Sequence, residues 1–283
     1  MEQNYSIKIE RVIIMNTVKQ KLYETNLYRN SNVETAAQSS NRWHDRLIYE
    51  PEVTVVVALF DGRNAPIPHS VGIYDESWVD KLYRGIARNY KGYFDFVCLT
   101  DRNYIFSENI KQIRFDRSVD QYGWMSLMEW YHPKVCKTRR VTMGIDTIIT
   151  GPLDDIFNCD LEDHKLGVCQ DPIFPEDICN AMTIAEPSFC KEFWDYWIEN
   201  EKEIMKDDDI FAEAAGSPSE MVLLRKLYGD SPRLDTLFKG RILSYKTHIR
   251  DHWDRVADAS IIYFHGTPKP HQVNEKWVRE NWV

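Results

Sequence analysis

Short apolar runs alternate along the chain with longer segments in which apolar residues recur at helical spacing. "VTVVVALF" (53–60) contains one polar residue in eight. A continuous apolar run of that length predicts a strand covered on both faces, as in a parallel sheet. "DGRN" and "PIPHS" follow as loop. "DESWVDKLYRGIARNY" (75–90) opens on acidic residues and places Trp78, Val79, Leu82, Tyr83 and Ile86 on one helical face. "FDFVCLTD" (94–101) reads as a second buried strand and "NIKQIRF" as a third. "GWMSLMEWYHP" (123–133) predicts a helix stopped by Pro133. "RRVTMGIDTII" (139–149), "HKLGVCQD" (164–171) and "ICNAMTIAEP" (178–187) predict further strands. Residues 187–205 and 218–229 read as helices, and "ADASIIYFHG" (257–266) as the strand that closes the sheet. This alternation predicts an α/β fold over 51–283: one Rossmann-like domain with a mostly parallel sheet flanked by helices. Residues 1–50 have a different, more polar pattern. They are expected to form an N-terminal extension, partly helical or disordered.

Open α/β sheets bind ligands beyond the carboxyl ends of their strands. Three predicted strands end in aspartates there: Asp61, Asp101 and Asp146. The last sits in "VTMGIDTIITGPLDDIF" (141–157), a lone carboxylate among Val, Ile, Thr and Met. Burying it costs several kcal/mol unless a cation or donors meet it. Two readings stay open: Asp146 points outward or caps a turn, or it faces a bound cation. "IIYFHGTPKPH" offers partners. His265 is either a structural histidine or a metal ligand. Gly266 lets backbone approach a ligand closely, and Lys269 stands between two prolines as a positioned cation. Together they suit a metal held by Asp146 and His265, with a diphosphate on Lys269.

Composition narrows the class. The net charge of −9 and pI near 5.4 argue against nucleic-acid binding, which relies on basic surface. They leave room for a small anionic ligand. The six cysteines include no CxxC pair, so buried free thiols in a reducing compartment are expected. No apolar run approaches the roughly 20 residues of a membrane span. The start "MEQNYSIKIER" is too polar for a signal peptide. These features predict a cytoplasmic protein with no transmembrane segment.

"FVCLTD", "GIDTIITGPLDDIF", "SYKTHIR" (244–250) and "FHGTPKPHQV" with its trailing "KWVRENW" resemble nucleotide-sugar glycosyltransferases of the GT-A fold. Bacterial and viral members distantly related to glycogenin and the lipopolysaccharide galactosyltransferases are the most similar. The resemblance covers about residues 53–283. It implies a divalent metal (Mn2+, or Mg2+), a nucleoside-diphosphate sugar donor, commonly a UDP-sugar, a glycan or lipid-linked acceptor, and a retaining reaction. By position, Asp146 matches the second aspartate of the family's DxD motif. His265 matches its metal-binding histidine, and Lys269 its diphosphate-contacting lysine. Phe60, Asp61 and Arg63 match the nucleoside-binding strand end, with Asp101 nearby. Asn180 in "CNAMTI" stands in the sugar-binding strand, and Asp171, Asn180 and Glu220 are the candidate catalytic residues.

The chain departs from that pattern in three places, one of them the helix "GWMSLMEW", which lacks a lysine the family often has there. The first aspartate of DxD is Gly144, and the family's Asp-Gln pair reads Ser219-Glu220. Glu220 also has a structural reading, as the third helical residue of a capping box with Ser217 as N-cap and Pro218 as first helical residue. Arg139-Arg140 are expected at the surface, and "KDDDIFAE" as a solvated loop. A metal-dependent glycosyltransferase is the leading function. A non-catalytic nucleotide-sugar-binding or assembly protein is the alternative. A nucleotidyltransferase ranks below both, because the loop after the first strand holds a single glycine.

Overall fold

The computed structural model describes residues 51–64, 74–207 and 219–283. The expected N-terminal extension (1–50), the "PIPHS" stretch, Ser217, Pro218 and most of "KDDDIFAE" lie outside the described residues.

The first apolar run forms β1 (Val53–Leu59), with six of its seven residues buried. It sits between β2 (Phe94–Thr100) and β4 (Arg139–Met143), parallel to both. β3 (Lys111–Arg114) adds a parallel edge beside β2. Beyond β4, β7 (Ile178–Ala185) and β6 (Leu166–Gln170) are antiparallel, giving the order β3-β2-β1-β4-β7-β6. The sheet is therefore parallel at its centre and antiparallel at one side. Alternation along β1 feeds two apolar layers. Val53, Val55, Val57 and Leu59 face one layer with Trp78, Leu82 and Ile86. Val56 faces the other with Met125, Met128, Phe193 and Trp197.

The helices follow from the same patterning. α1 (Glu76–Asn89) is capped by Asp75, whose carboxylate accepts the Ser77 amide at 3.0 Å. α2 (Pro187–Ile204) begins with proline at its first position, where the missing N–H costs nothing, and buries Phe189, Phe193, Trp194 and Trp197. The 123–131 segment is a 3₁₀ helix. All six cysteines are free, four of them buried.

Two expectations fail. The segment 139–149 is not one strand: β4 stops at Met143, a turn spans Ile145 and Asp146, and β5 (Thr147–Ile149) starts a second sheet. Ile261–Tyr263 does not close the main sheet either. As β9 it lies in that second sheet, antiparallel to β5 and parallel to β8 (Ile242–Ser244). Arg140 is a further correction: it is buried, donating to the Trp130 carbonyl at 2.6 Å and the Cys136 carbonyl at 2.9 Å. Carbonyl dipoles meet its charge, where a surface pair was expected.

Candidate active site

A cavity of about 640 Å³ opens where β1 and β4 end, walled on the other side by β7 and by the segment after β9. Its position follows from the parallel strands: their carboxyl ends lie along one edge, and the chain turns away from the sheet at each. The predicted residues Phe60, Asp61, Arg63, Asp146, Asp171, Asn180, Glu220, His265, Gly266 and Lys269 all line it.

At the β1 end, Phe60 packs edge-on against Trp124 (5.4 Å between ring centres) and Phe115 (5.8 Å). The Asp61 carboxylate accepts Arg63 Nε at 2.8 Å and lies 3.4 Å from an Arg102 nitrogen. Hydrogen bonding from Arg63 holds it well below the usual carboxylate range. Asp101 stands behind this corner and is not part of the cavity wall. It accepts the Asp61 amide at 3.3 Å and the Tyr104 hydroxyl at 2.9 Å, so it braces the strand end.

Asp171 lies at the rim with both oxygens committed. Oδ2 pairs with Arg225 at 2.6 Å, and Oδ1 accepts the Ile173 and Phe174 amides at 2.8 and 3.0 Å. It shapes the turn that carries the exposed Ile173 and Phe174.

Glu220 is the chemically unusual group. It is the first residue of α3 (Glu220–Tyr228), capped by Ser219, whose hydroxyl accepts the Met221 amide at 3.2 Å. A capping box needs its glutamate two positions further in, so the expected box involving Glu220 does not form. The side chain is fully buried. Asn180 donates to Oε1 at 2.6 Å, while Oε2 is buried with no hydrogen-bond partner among the described residues. Burial pushes the carboxyl up to about 7, against opposing hydrogen bonds from Asn180 and nearby backbone.

Asp146 finds its partner in Lys269. The two form a direct ion pair with both side chains largely buried, and the Tyr74 hydroxyl donates to the same carboxylate oxygen at 3.2 Å. Asp146 thus sits in a turn and also meets a cation, but that cation is an ammonium of the chain itself. His265 Nε2 lies 2.9 Å from Ser244 Oγ. Burial and the nearby Lys246 hold its imidazole below the ordinary value, so it is neutral at physiological pH. A Cβ at position 144 would stand 2.7 Å from Asp146 Oδ1, so the carboxylate leans into the space that a side chain there would need.

This donor set does not fit a resident Mn2+ or Mg2+. Among the described residues, no three His, Cys, Asp or Glu side chains group closely enough to hold an ion. Hard divalent cations want several oxygen ligands; Gly144 offers none, Asp146 Oδ2 is held by Lys269 and Tyr74, and His265 Nε2 lies against Ser244 Oγ.

Sequence reasoning missed Tyr74, Arg102 and Trp124 as cavity residues. It singled out neither Tyr74 nor Arg102, and Trp124 stood only within the predicted helix 123–133. Only the spatial meeting of strand ends reveals them.

No protein-family model matches this chain, and no curated protein matches it. Solved structures do. The glycosyltransferase GlyE of Streptococcus pneumoniae superposes with a TM-score of 0.52 at 13% identity, over 78% of this chain and 56% of GlyE. The matched region thus spans little more than half of GlyE. An active-site mutant of LgtC superposes with a TM-score of 0.52 at 12% identity, over 80% of this chain and 93% of LgtC. No helix among the described residues is long and apolar enough to cross a membrane. The chain has the GT-A fold and is distantly similar in structure to these glycosyltransferases.

Proposed function

We propose that the protein is a glycosyltransferase that moves a sugar from a nucleoside-diphosphate donor, a UDP-sugar first among them, to a glycan or lipid-linked acceptor. One observation carries the reading: a fully buried carboxyl, Glu220, has one oxygen steadied by Asn180 and the other unpartnered in the wall of a cavity at the carboxyl edge of the sheet. Structural carboxylates are paired, and an unpaired one in a cleft marks a functional site.

In this reading the nucleoside lies toward Phe60, Asp61 and Arg63, the diphosphate toward Lys269, and the sugar toward Asn180 and Glu220. The bond between the anomeric carbon and the diphosphate oxygen breaks, and its electron pair leaves on the diphosphate. Ionised Glu220 then meets the positive charge left at the anomeric carbon, as nucleophile or as charge stabiliser. The acceptor hydroxyl forms the new bond to that carbon, displacing any bond to Glu220, and passes its proton to the departed diphosphate oxygen, with net retention. Asp171 acts one step removed, by shaping the acceptor rim. No divalent cation is part of this reading, because among the described residues no three His, Cys, Asp or Glu side chains group closely enough to hold one.

A thermal-shift screen of nucleotide sugars tests the donor class, since a ligand that binds only the folded state raises Tm. A nucleotide sugar should raise Tm where its free sugar does not. Equal behaviour of nucleotide sugars and free sugars would remove the donor assignment. A donor that binds but is never cleaved would favour a non-catalytic nucleotide-sugar-binding protein.

A further inference from the structure

Lys246 stands beside Gly266, a residue of the cavity wall, and the reading above leaves it unused. It is the second residue of the helical turn Tyr245–Ile249 that follows β8. Ser244, just before it, ties that turn to the segment after β9 through its contact with His265, and its hydroxyl also accepts the Thr247 amide at 3.2 Å. The result places Lys246 Nζ 3.7 Å from where a Gly266 Cβ would stand. Gly266 has a φ of +60°, lacks that Cβ and lines the cavity. Lys246 is half-buried, yet no hydrogen bond or ion pair engages its ammonium among the described residues. A half-buried cation beside a cavity and without a counter-ion is an anion site awaiting its anion.

We propose that Lys246 and Lys269 together bind the donor's diphosphate and that no divalent cation is required for it. The inference rests on the nucleoside-diphosphate reading above. Its charge logic is direct. Asp146 offsets one of the two ammonium groups, and the other is left for the diphosphate. The Lys269 ammonium has three N–H donors. Asp146 takes one and fixes its position; the others remain for phosphate oxygens. With Gly144 in place of a carboxylate there is less negative charge to hold a dication and less need of one. Lysine serves phosphate as a compact point charge, so two of them on separate, mutually tied segments can grip both phosphoryl groups.

The test is calorimetry with UDP, GDP, ADP and CDP on the full chain, in EDTA and in MnCl2. At least one nucleoside diphosphate should bind with Kd values within about threefold in the two buffers. Lys246→Met, which breaks no hydrogen bond or ion pair among the described residues, should weaken that binding by about tenfold or more. Lys269→Met strands Asp146, so Asp146→Asn combined with Lys269→Met is measured beside it and should show a similar loss with a cooperative thermal transition retained. Binding in MnCl2 that disappears in EDTA would overturn the metal-free site while leaving the donor reading intact. Unchanged binding in Lys246→Met would overturn the role of Lys246. No binding of any nucleoside diphosphate in either buffer would overturn this inference and the donor reading together.

Discussion

A carboxyl group poised at about 7 inside a protein is costly to ionise, and Glu220 carries that cost. Its folded value lies above its ordinary value of 4.5. The folded state therefore holds the proton more tightly than the unfolded chain, and stability falls as pH rises from about 4.5 to about 7, then levels off. The interval corresponds to about 3 kcal/mol at most. Glu220→Gln removes that cost and keeps an oxygen for Asn180. The variant should melt higher than wild type at about pH 8 and gain little below about pH 4.5, as calorimetric scans would record. Catalysis needs the ionised form, so turnover should rise through about pH 7 and flatten above it; a rate independent of pH between about 5 and 8 would count against Glu220. At this scale the sequence was partly legible. Asn180 and Glu220 were marked by the family resemblance; Asp146 and Lys269 stood out because their charges interrupt an apolar stretch and a proline-bounded one. Their pairing did not, since Asp146 and Lys269 are far apart in the chain and only folding sets an ammonium, not a metal, against the carboxylate.

The elements carry predictions of their own. Ser219 caps α3 directly beside the proposed catalytic carboxyl. Ser219→Ala should cost about 1 kcal/mol in urea unfolding, and Ser219→Gly only a few tenths. Arg140 at the start of β4 joins that strand to the 3₁₀ helix through the Trp130 and Cys136 carbonyls. Arg140→Ala leaves a cavity and two orphaned acceptors and should cost about 3 kcal/mol or more in the same assay; a loss under about 1 kcal/mol would mean the surroundings collapse or water replaces the guanidinium. Long apolar runs made β1, β2, β7, α1 and α2 readable, because burial on both faces or one helical stripe leaves a periodic trace. β5, β8 and β9 are three residues each, too short for a period to register. Their pairing joins residues 147–149 to 261–263, a contact with no local signature. Arg140 reads locally as a charged strand start because nothing nearby in sequence announces the carbonyls it meets.

At the scale of the whole molecule, the fold brings separated stretches of chain to one cavity, among them the ends of β1 and β4, the turn after β6, the middle of β7, the start of α3 and the segment after β9. The GT-A architecture supplies that convergence, and the side chains decide what it does, since a fold of this kind hosts more than one function. Here the side chains divide the cavity into an aromatic and Asp61–Arg63 end, a lysine corner and a buried carboxyl, which the proposal assigns to nucleoside, diphosphate and sugar. The most direct test of that assignment is release of nucleoside diphosphate from the donor that gives the largest thermal shift, measured for wild type and Glu220→Gln with donor binding measured in parallel. Wild type should release nucleoside diphosphate, faster with an acceptor present, and Glu220→Gln should bind the donor equally well while releasing it at least about tenfold more slowly. Equal release rates in the two proteins, or donor binding with no release from wild type, would contradict the account.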